Sequence, residues 1–167
     1  MPNKIKNLKP QMGKKSRFKQ GYFDVTKSLK YQNPTEPCIY RSSYEFKFMH
    51  WCEVSDIVAR WSSEPFSIKY LCLNTGKQRN YYIDFTVTTT KPEVWLIEVK
   101  PVHEVTEAER FGNKWQRLQN LKEKRRFADA NKRAAKNWSK WQHAQKVCND
   151  RGWRFIIVTE KFLNKPK

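Results

Sequence analysis

The sequence predicts a mixed α/β domain, with a mixed β-sheet flanked by helices. The order of the patterns is one helix, three strands, a long helical stretch and a last strand, which is typical of this class. The 167 residues are long enough for one domain with a core, and the 14% aromatic content excludes a fully disordered chain. No apolar run approaches the roughly 18 residues of a membrane span, so no membrane partner is expected.

The first predicted helix runs from Ser42 to about Val54. Its aromatic and sulfur-containing side chains recur at the spacing of one helix face. Ahead of it, residues 38–40 are predicted as a short extended piece. Residues 22–37 are interrupted by Asn33, Pro34 and Pro37 and are predicted as a loop.

Three strands are predicted after this helix. Residues 65–73 form the first candidate, which a turn around Gly76 ends. Apolar and polar side chains alternate along residues 80–88, which are also rich in β-branched and aromatic residues, and this pattern favours a strand. Residues 94–100 form the third strand, which Pro101 stops.

The second half of the chain is predicted to be mostly helical. Residues 104–150 contain no Pro and one Gly. A helix over about residues 133–150 is expected to end at Gly152, which suits the left-handed position after a helix. Residues 153–159 are predicted as a last, buried strand.

The second and third predicted strands are expected to pair as a hairpin that contains candidate catalytic residues. If Asp84 lies opposite Glu98, the centre of the hairpin falls at residue 91, where Lys91 and Pro92 suit a turn. Side chains alternate across a strand, so Lys100 shares the face of Glu98. The register therefore predicts one small patch of two carboxylates and a lysine.

Such a patch suits a hard cation such as Mg²⁺, for which Mn²⁺ substitutes, because this ion prefers oxygen ligands and keeps several waters. Asp84 and Glu98 are the predicted ligands, with the backbone carbonyl of Val99 as a third oxygen. Lys100 is predicted to orient the attacking water or to stabilise developing charge. The alternative is a solvated cross-strand cluster of charged side chains, since such pairs are common on sheets.

A third carboxylate, Glu45, is a candidate for the same site. Ser42 and Glu45 fit the capping box at a helix start, which is a purely structural role. Glu45 also shares a helix face with Phe48, Met49 and Cys52, so it is expected to point inward. An inward acid is costly unless it is paired or bound to a metal, and the two roles are compatible.

The positive charge is concentrated in two zones. Residues 1–30 carry a net +8 and residues 110–140 a net +9, out of +18 for the chain. Two basic zones around a near-neutral core are typical of a protein that binds nucleic acid, although generic solubility is the alternative. The predicted DNA-binding residues are Lys14, Lys15, Arg17, Lys122, Lys124, Arg125 and Arg126.

The predicted domain organisation is a basic, partly flexible N-terminal arm over residues 1–36 and a single domain over residues 37–167. A basic helical insert occupies about residues 104–132 of that domain. The four cysteines show no C-x-x-C spacing, so a zinc ribbon or a disulfide scaffold is not favoured, and reduced thiols are expected. The N-terminus lacks the apolar stretch of a secretory signal.

Three motifs carry a resemblance to a known family, at residues 40–45 (YRSSYE), 82–85 (YIDF) and 97–101 (IEVKP). Together they resemble the PD-(D/E)XK nuclease superfamily. The likeness is greatest to the TnsA-like endonuclease branch, to which the head-completion nucleases of large tailed bacteriophages belong. It runs from about residue 38 to residue 160. Ile83 stands where the superfamily often has Pro.

The resemblance implies a restriction-endonuclease-like core and metal-dependent cleavage of double-stranded DNA. It assigns metal binding to Glu45, Asp84 and Glu98, and assistance to Lys100. It also implies a role in phage head completion after packaging, with portal, neck or other head-completion proteins as partners. The expected location is the host cytoplasm during assembly and the virion head or neck.

Two other functions are compatible with the same residues. One is a structural head-completion or DNA-plug protein that retains the fold without cleaving. The other is a transposon-end endonuclease that works with partner subunits. Cut-site preference, strand polarity and oligomeric state are left open by the sequence.

Overall fold

The computed structural model describes residues 19–33 and 35–165 of the chain. This part of the chain forms eight strands and five helices. They are β1 Gly21–Phe23, β2 Cys38–Tyr40, α1 Ser43–Val54, β3 Val58–Ser63, β4 Ser67–Leu71, β5 Gln78–Tyr82, β6 Phe85–Thr89, β7 Val94–Val99, α2 Val102–Arg117, α3 Leu121–Ala130, α4 Lys132–Arg151, β8 Arg154–Val158 and α5 Glu160–Leu163.

The central sheet has four strands in the order β3-β6-β7-β8. β6 pairs antiparallel with both β3 and β7, whereas β7 and β8 are parallel. Two small antiparallel sheets, β1-β2 and β4-β5, accompany it. The prediction of a mixed sheet flanked by helices is confirmed.

The β6–β7 hairpin has the predicted register. Phe85 pairs with Ile97 and Thr88 with Val94. One step beyond Phe85, this register places Asp84 level with Glu98. A bend over residues 90–92 connects the two strands at the predicted position.

The predicted strand over residues 80–88 is two strands, because the chain changes partners at Ile83 and Asp84. β5 pairs with β4 outside the central sheet, and β6 pairs inside it. Ile83 therefore packs in the same cluster as Leu96, on the opposite side of the sheet from Phe85, although alternation along one continuous strand would place Ile83 and Phe85 on the same face. Alternation along a sequence does not reveal a change of partner, because both strands keep the period of two.

Both faces of the central sheet are covered. One face packs against α1 through a cluster that includes Phe48, Cys52 and Phe85. The other face packs against α2, α4 and the β4-β5 pair, through Leu96 and Trp141 among others. The face of β7 that carries Glu98 is therefore buried rather than solvated.

Two strands were not predicted from the sequence. β3 lacks a clean alternation, because Trp61 and Ser62 are adjacent and both buried. β1 lies in the stretch predicted as loop and pairs with β2. Val25 and Tyr31, within the predicted arm, are buried in the cluster on the α1 side of the sheet. Isolated apolar residues like these produce no periodic signal.

The helical stretch folds back on itself as α2, α3 and α4. Gly152 adopts φ +67° after α4, as the predicted helix end requires. Gly112 brings α2 close to α4, because a Cβ there would overlap the Trp138 ring. Across the described ranges, no helix combines the length and apolar character needed to cross a membrane.

Candidate active site

Asp84 lies at the break between β5 and β6. Its Oδ2 accepts a 2.8 Å hydrogen bond from the backbone N–H of Val99. Its carbonyl accepts a 2.9 Å bond from the N–H of Glu64, a non-glycine residue with φ +45°. These two bonds fix the backbone and the carboxylate of Asp84 beside the end of β7.

Glu98 is among the most buried side chains of the structure, with 1% of its surface exposed. The hydroxyl of Tyr81 donates a 2.6 Å hydrogen bond to its Oε2. Its Oε1 lies 3.4 Å from Nζ of Lys100. Each oxygen of this buried carboxylate therefore has a donor, as burial of a charge requires.

Glu45 occupies the first turn of α1, as predicted. The N–H of Glu45 donates to Oγ of Ser42, the N-cap residue, at 3.1 Å. Oε2 of Glu45 accepts a 2.7 Å bond from the backbone N–H of Arg41. Glu45 thus takes part in capping α1, and its half-buried carboxylate also faces the other acids.

The pKa values of Asp84 and Glu45 are both raised. Burial raises the pKa of Asp84 well above its ordinary value, and the charges of Glu98 and Glu45 raise it further. Burial also raises the pKa of Glu45, against the opposing effects of the Arg41 backbone and the Lys100 charge. Asp84 is therefore close enough to Glu45 and Glu98 for the charges of both to act on it.

Lys100 is the cation nearest to Glu98. Burial alone would lower the pKa of Lys100, but the charges of Glu98 and Asp84 outweigh it, so the net shift is upward. Its ammonium group consequently stays protonated at physiological pH. Lys100 can stabilise negative charge or donate hydrogen bonds, but it cannot act as a general base.

Sequence reasoning did not single out Tyr81, which the structure brings to this site together with Lys140. Nζ of Lys140, on α4, lies 4.7 Å from the centroid of the Tyr81 ring. Burial is the main cause that lowers the pKa of Lys140, and the charge of Glu98 opposes it. A helix lysine and a strand tyrosine are ordinary in sequence, and only the packing of α4 on β5 brings them together.

The oxygen donors of the site fit an ion that retains much of its hydration shell. Over the described ranges, no three Asp, Glu, His or Cys side chains are grouped closely enough to hold a metal ion by themselves. Mg²⁺ typically needs only one or two protein carboxylates and keeps its waters. Asp84 and Glu98 are two neighbouring carboxylates, since Glu98 lies level with Asp84 and its charge raises the pKa of Asp84.

The predicted DNA-binding residues lie apart from these acids in sequence and differ in exposure. Lys122, Arg125 and Arg126 are exposed on α3. Lys124 is half-buried, with its Nζ 5.3 Å from the centroid of the Trp115 ring. Lys14, Lys15 and Arg17 lie outside the described residues.

Comparison with known proteins agrees with the fold and the motifs. The model of the TnsA-like endonuclease N-terminal family matches residues 55–160, which include Asp84, Glu98 and Lys100. The head completion nuclease of Enterobacteria phage T4 is 29% identical over 134 residues, which is 80% of this chain and 86% of that protein. These matches confirm the resemblance: the chain belongs to the TnsA-like endonuclease family and is a DNA endonuclease.

Proposed function

We propose that the chain hydrolyses DNA phosphodiester bonds with a bound Mg²⁺, which Mn²⁺ can replace. Asp84 and Glu98 hold the ion, Glu45 adds a third negative charge, and the Val99 carbonyl adds an oxygen. The observation that carries this proposal is the placement of Asp84 level with the buried Glu98, with Oδ2 of Asp84 held by the Val99 N–H. Burial raises the pKa of Asp84, and the charges of Glu98 and Glu45 raise it further. Buried, mutually repelling carboxylates are stabilised by a cation, and such perturbed groups concentrate at functional sites.

A bound Mg²⁺ supplies a Lewis acid for the phosphodiester and lowers the pKa of a coordinated water. The residues of the chain orient the carboxylates and stabilise the developing charge. Asp84 is oriented by the Val99 N–H and Glu98 by the Tyr81 hydroxyl, so both carboxylates are held in place before substrate arrives. Lys100 remains cationic and stabilises the charge that develops on the phosphate oxygens.

The basic zones bind the DNA backbone. Lys122, Lys124, Arg125 and Arg126 on α3, together with Lys14, Lys15 and Arg17 of the arm, contact phosphates. Phosphate contacts position a duplex without reading its sequence. The enzyme consequently binds double-stranded DNA of any sequence through these residues.

The biological setting is completion of the phage head after packaging. The T4 relative bears the name of a head completion nuclease, and its match covers most of both chains. Portal, neck or other head-completion proteins are the partners in this setting. The protein then acts in the host cytoplasm during assembly and at the virion head or neck.

A plasmid-nicking assay tests the hydrolytic proposal. Purified protein is incubated with supercoiled DNA in Mg²⁺, in Mn²⁺ and in EDTA. The wild type should nick only with metal, and Asp84→Asn should be inactive. Asp56→Asn, which replaces an exposed acid, is the matched control and should remain active.

Three outcomes would contradict the proposal. Unchanged nicking by Asp84→Asn, with contaminating nucleases excluded, would remove Asp84 from the site. Wild-type protein that binds DNA without nicking it under any metal would instead support a structural head-completion or DNA-plug protein. Cleavage only in the presence of transposase subunits would support a transposon-end endonuclease.

A further inference from the structure

Strand β8 forms one edge of the central sheet. In the order β3-β6-β7-β8 it pairs with β7, and within the described residues no further strand pairs with it. Its sequence, RFIIV, is apolar after the first residue and contains no Pro. Sheets commonly protect such an edge with charge, Pro or a bulge, because its free backbone groups pair readily with another chain. An apolar edge without these features therefore indicates a surface that pairs with a partner.

The backbone groups that face outward from β8 belong to Phe155 and Ile157. The carbonyl of Val158 accepts a 3.0 Å hydrogen bond from the N–H of Lys100, so the polar groups of Val158 face β7. The N–H and C=O of one residue in a strand point to one side, and those of the next residue to the other. Those of Ile156 therefore face β7 as well, whereas those of Phe155 and Ile157 face away from it. In the described part of the chain, these four outward groups have no hydrogen-bond partner.

An apolar groove lies along the same edge, on the side of the sheet that carries α1. Its lining includes Trp51 of α1, Trp95 of β7, Ile156 of β8 and Phe162 of α5, with Ile57 at its mouth. Ile57 and Phe162 are exposed, and the other three side chains are half-buried. The groove has a volume of about 250 Å³. Since an apolar cavity of about 150 Å³ holds a molecule of benzene, this groove has room for one or two aliphatic side chains.

The charge around this edge favours an acidic partner. Residues 150–165 contain four Lys or Arg and two acids, Asp150 and Glu160. The carboxylate of Glu160 already accepts a hydrogen bond from the start of α2. Arg151 and Lys161 flank the strand, are exposed and form no ion pair within the described residues. A second copy of the chain, itself with a net charge of +18, would bring like charges together, which disfavours it as the partner.

From these observations we propose that β8 accepts an extended segment of an acidic partner protein as a fifth strand of the central sheet. The outward N–H and C=O groups of Phe155 and Ile157 pair with the backbone of that segment. Its alternate side chains are aliphatic and enter the groove beside Ile156, because side chains along a strand alternate between the two faces. Asp or Glu residues of the partner flank them, near Arg151 and Lys161. The proposal does not depend on the hydrolytic site.

The first experiment selects peptides that bind the purified protein from a random dodecapeptide library. Selected sequences should alternate aliphatic with polar residues over the five positions that match β8, and they should carry Asp or Glu on either side. The most enriched peptide is then synthesised as the probe for the measurements that follow. Enrichment of basic peptides, or enrichment of no sequence at all, would overturn the proposal.

A proline substitution tests the backbone pairing. Ile157→Pro removes one outward N–H and leaves the groups that face β7, and Pro is tolerated on an edge strand where the N–H faces solvent. The matched control is Ile157→Val, which also shortens the side chain but keeps the N–H. The affinity for the peptide, measured by fluorescence anisotropy, should fall about tenfold in Ile157→Pro and stay near the wild-type value in Ile157→Val. Equal affinities of the two variants would overturn the proposal.

Amide hydrogen exchange of the wild type keeps the pairing testable if Ile157→Pro does not fold. In the free protein, the amides of Phe155 and Ile157 should exchange fast, whereas those of Ile156 and Val158, which bond to β7, should be protected. Addition of the peptide should protect the amides of Phe155 and Ile157. Unchanged exchange of these two amides in the presence of saturating peptide would overturn the proposal.

A second pair of variants tests the groove. Ile57 and Val54 are equally exposed, at 47% and 48% of their surface, but only Ile57 lines the groove. Ile57→Ser should therefore weaken peptide binding, and Val54→Ser should leave it unchanged. Equal effects of the two substitutions would contradict the placement of the partner's side chains in the groove.

Two further measurements distinguish other occupants of the edge. Self-association in sedimentation experiments that Ile157→Pro abolishes would identify a second copy of the chain as the partner. Protection of the Phe155 and Ile157 amides by duplex DNA would instead assign the edge to the substrate. Either result would overturn the proposal. The peptide should bind Asp84→Asn as tightly as the wild type, so that failure of the hydrolytic proposal leaves this test intact.

Discussion

The hydroxyl of Tyr81 donates to Oε2 of Glu98 at 2.6 Å, and both side chains have only 1% of their surface exposed. Burial, together with the charges of Glu98 and Asp84, raises the pKa of Tyr81 well above its ordinary value. The phenol therefore remains a donor at every physiological pH. A buried residue of β5 thereby holds the orientation of a proposed metal ligand in β7.

Tyr81→Phe should destabilise the protein and weaken metal binding. Loss of a hydrogen bond to a buried charged group costs roughly 1.5–3 kcal/mol. Urea unfolding measures the free energy, and calorimetry with Mn²⁺ measures the affinity. Tyr70→Phe is the matched control, since its ring also lies under Lys140 but its hydroxyl makes no hydrogen bond within the described structure. Equal losses in both variants would contradict the role of Tyr81.

Asp84→Asn should be more stable than the wild type in the absence of metal at pH 7. The pKa of Asp84 is higher in the folded than in the unfolded state. At a pH between these two pKa values, the folded protein therefore binds more protons than the unfolded protein. Its stability therefore falls as the pH rises through that window. The advantage of Asp84→Asn should disappear below about pH 4, near the ordinary Asp pKa. Thermal melts in EDTA between pH 4 and pH 7 measure the difference in stability between Asp84→Asn and the wild type. A difference that does not depend on pH would contradict the raised pKa of Asp84.

Lys100→Ala should lose most of the nicking rate and still bind the metal ion. Protonated lysine has no lone pair to donate to a metal, so its removal leaves the ligands in place. Single-turnover nicking gives the rate and calorimetry the affinity. Collapse of metal affinity in Lys100→Ala would show that the lysine maintains the geometry of Glu98 and would contradict a role in charge stabilisation.

Glu45→Gln and Ser42→Ala should separate capping from chemistry. Glu45→Gln retains an oxygen that can accept from the Arg41 N–H, so stability should change little while nicking is lost. Ser42→Ala removes the side-chain acceptor of the helix cap, which costs roughly 0.5–2 kcal/mol, but it leaves the carboxylate. Urea unfolding measures the stability of both variants, and the plasmid assay measures their nicking rates. Full activity in Glu45→Gln would assign Glu45 to capping alone.

Neutralisation of the basic zones should weaken DNA binding for all sequences alike. Removal of residues 1–20, or of the charges of Lys122, Lys124, Arg125 and Arg126, should reduce the salt slope by about 0.9 for each phosphate that is no longer neutralised. Lys124 also packs on Trp115, so a triple variant that retains Lys124 controls for the loss of that packing. Residual nicking at high protein concentration should persist. A slope near zero in the wild type would mean that these zones face a protein instead.

The register of the β6–β7 hairpin could be predicted because three local signals agree. Alternation, the turn at Lys91 and Pro92, and the need to place Asp84 and Glu98 together lead to one pairing. The cap at Ser42 and the end of α4 at Gly152 were predicted for a similar reason, since each depends on a few adjacent residues. Glu45 was expected to point inward from its helix face, and its charge acts on Asp84 in the structure.

The features that sequence reasoning missed depend on distant contacts. The change of partner at Ile83 needs β4 as a second partner for the chain, and nothing local marks it. Tyr81 and Lys140 meet only after α4 packs against that pair of strands. The burial of Glu98 requires that α2, α4 and the β4-β5 pair cover its face of the sheet, which a strand pattern with one charged side does not indicate.

The turn of the β4–β5 hairpin has room to vary. Gly76 adopts φ +69°, and a Cβ at that position would meet no atom within 4 Å. The turn is also separated in sequence from the pairing that aligns Asp84 with Glu98. Extra residues inserted after Gly76 would therefore lengthen the ribbon while leaving the acids in register. The length of this hairpin can therefore vary independently of the pairing that aligns the two acids.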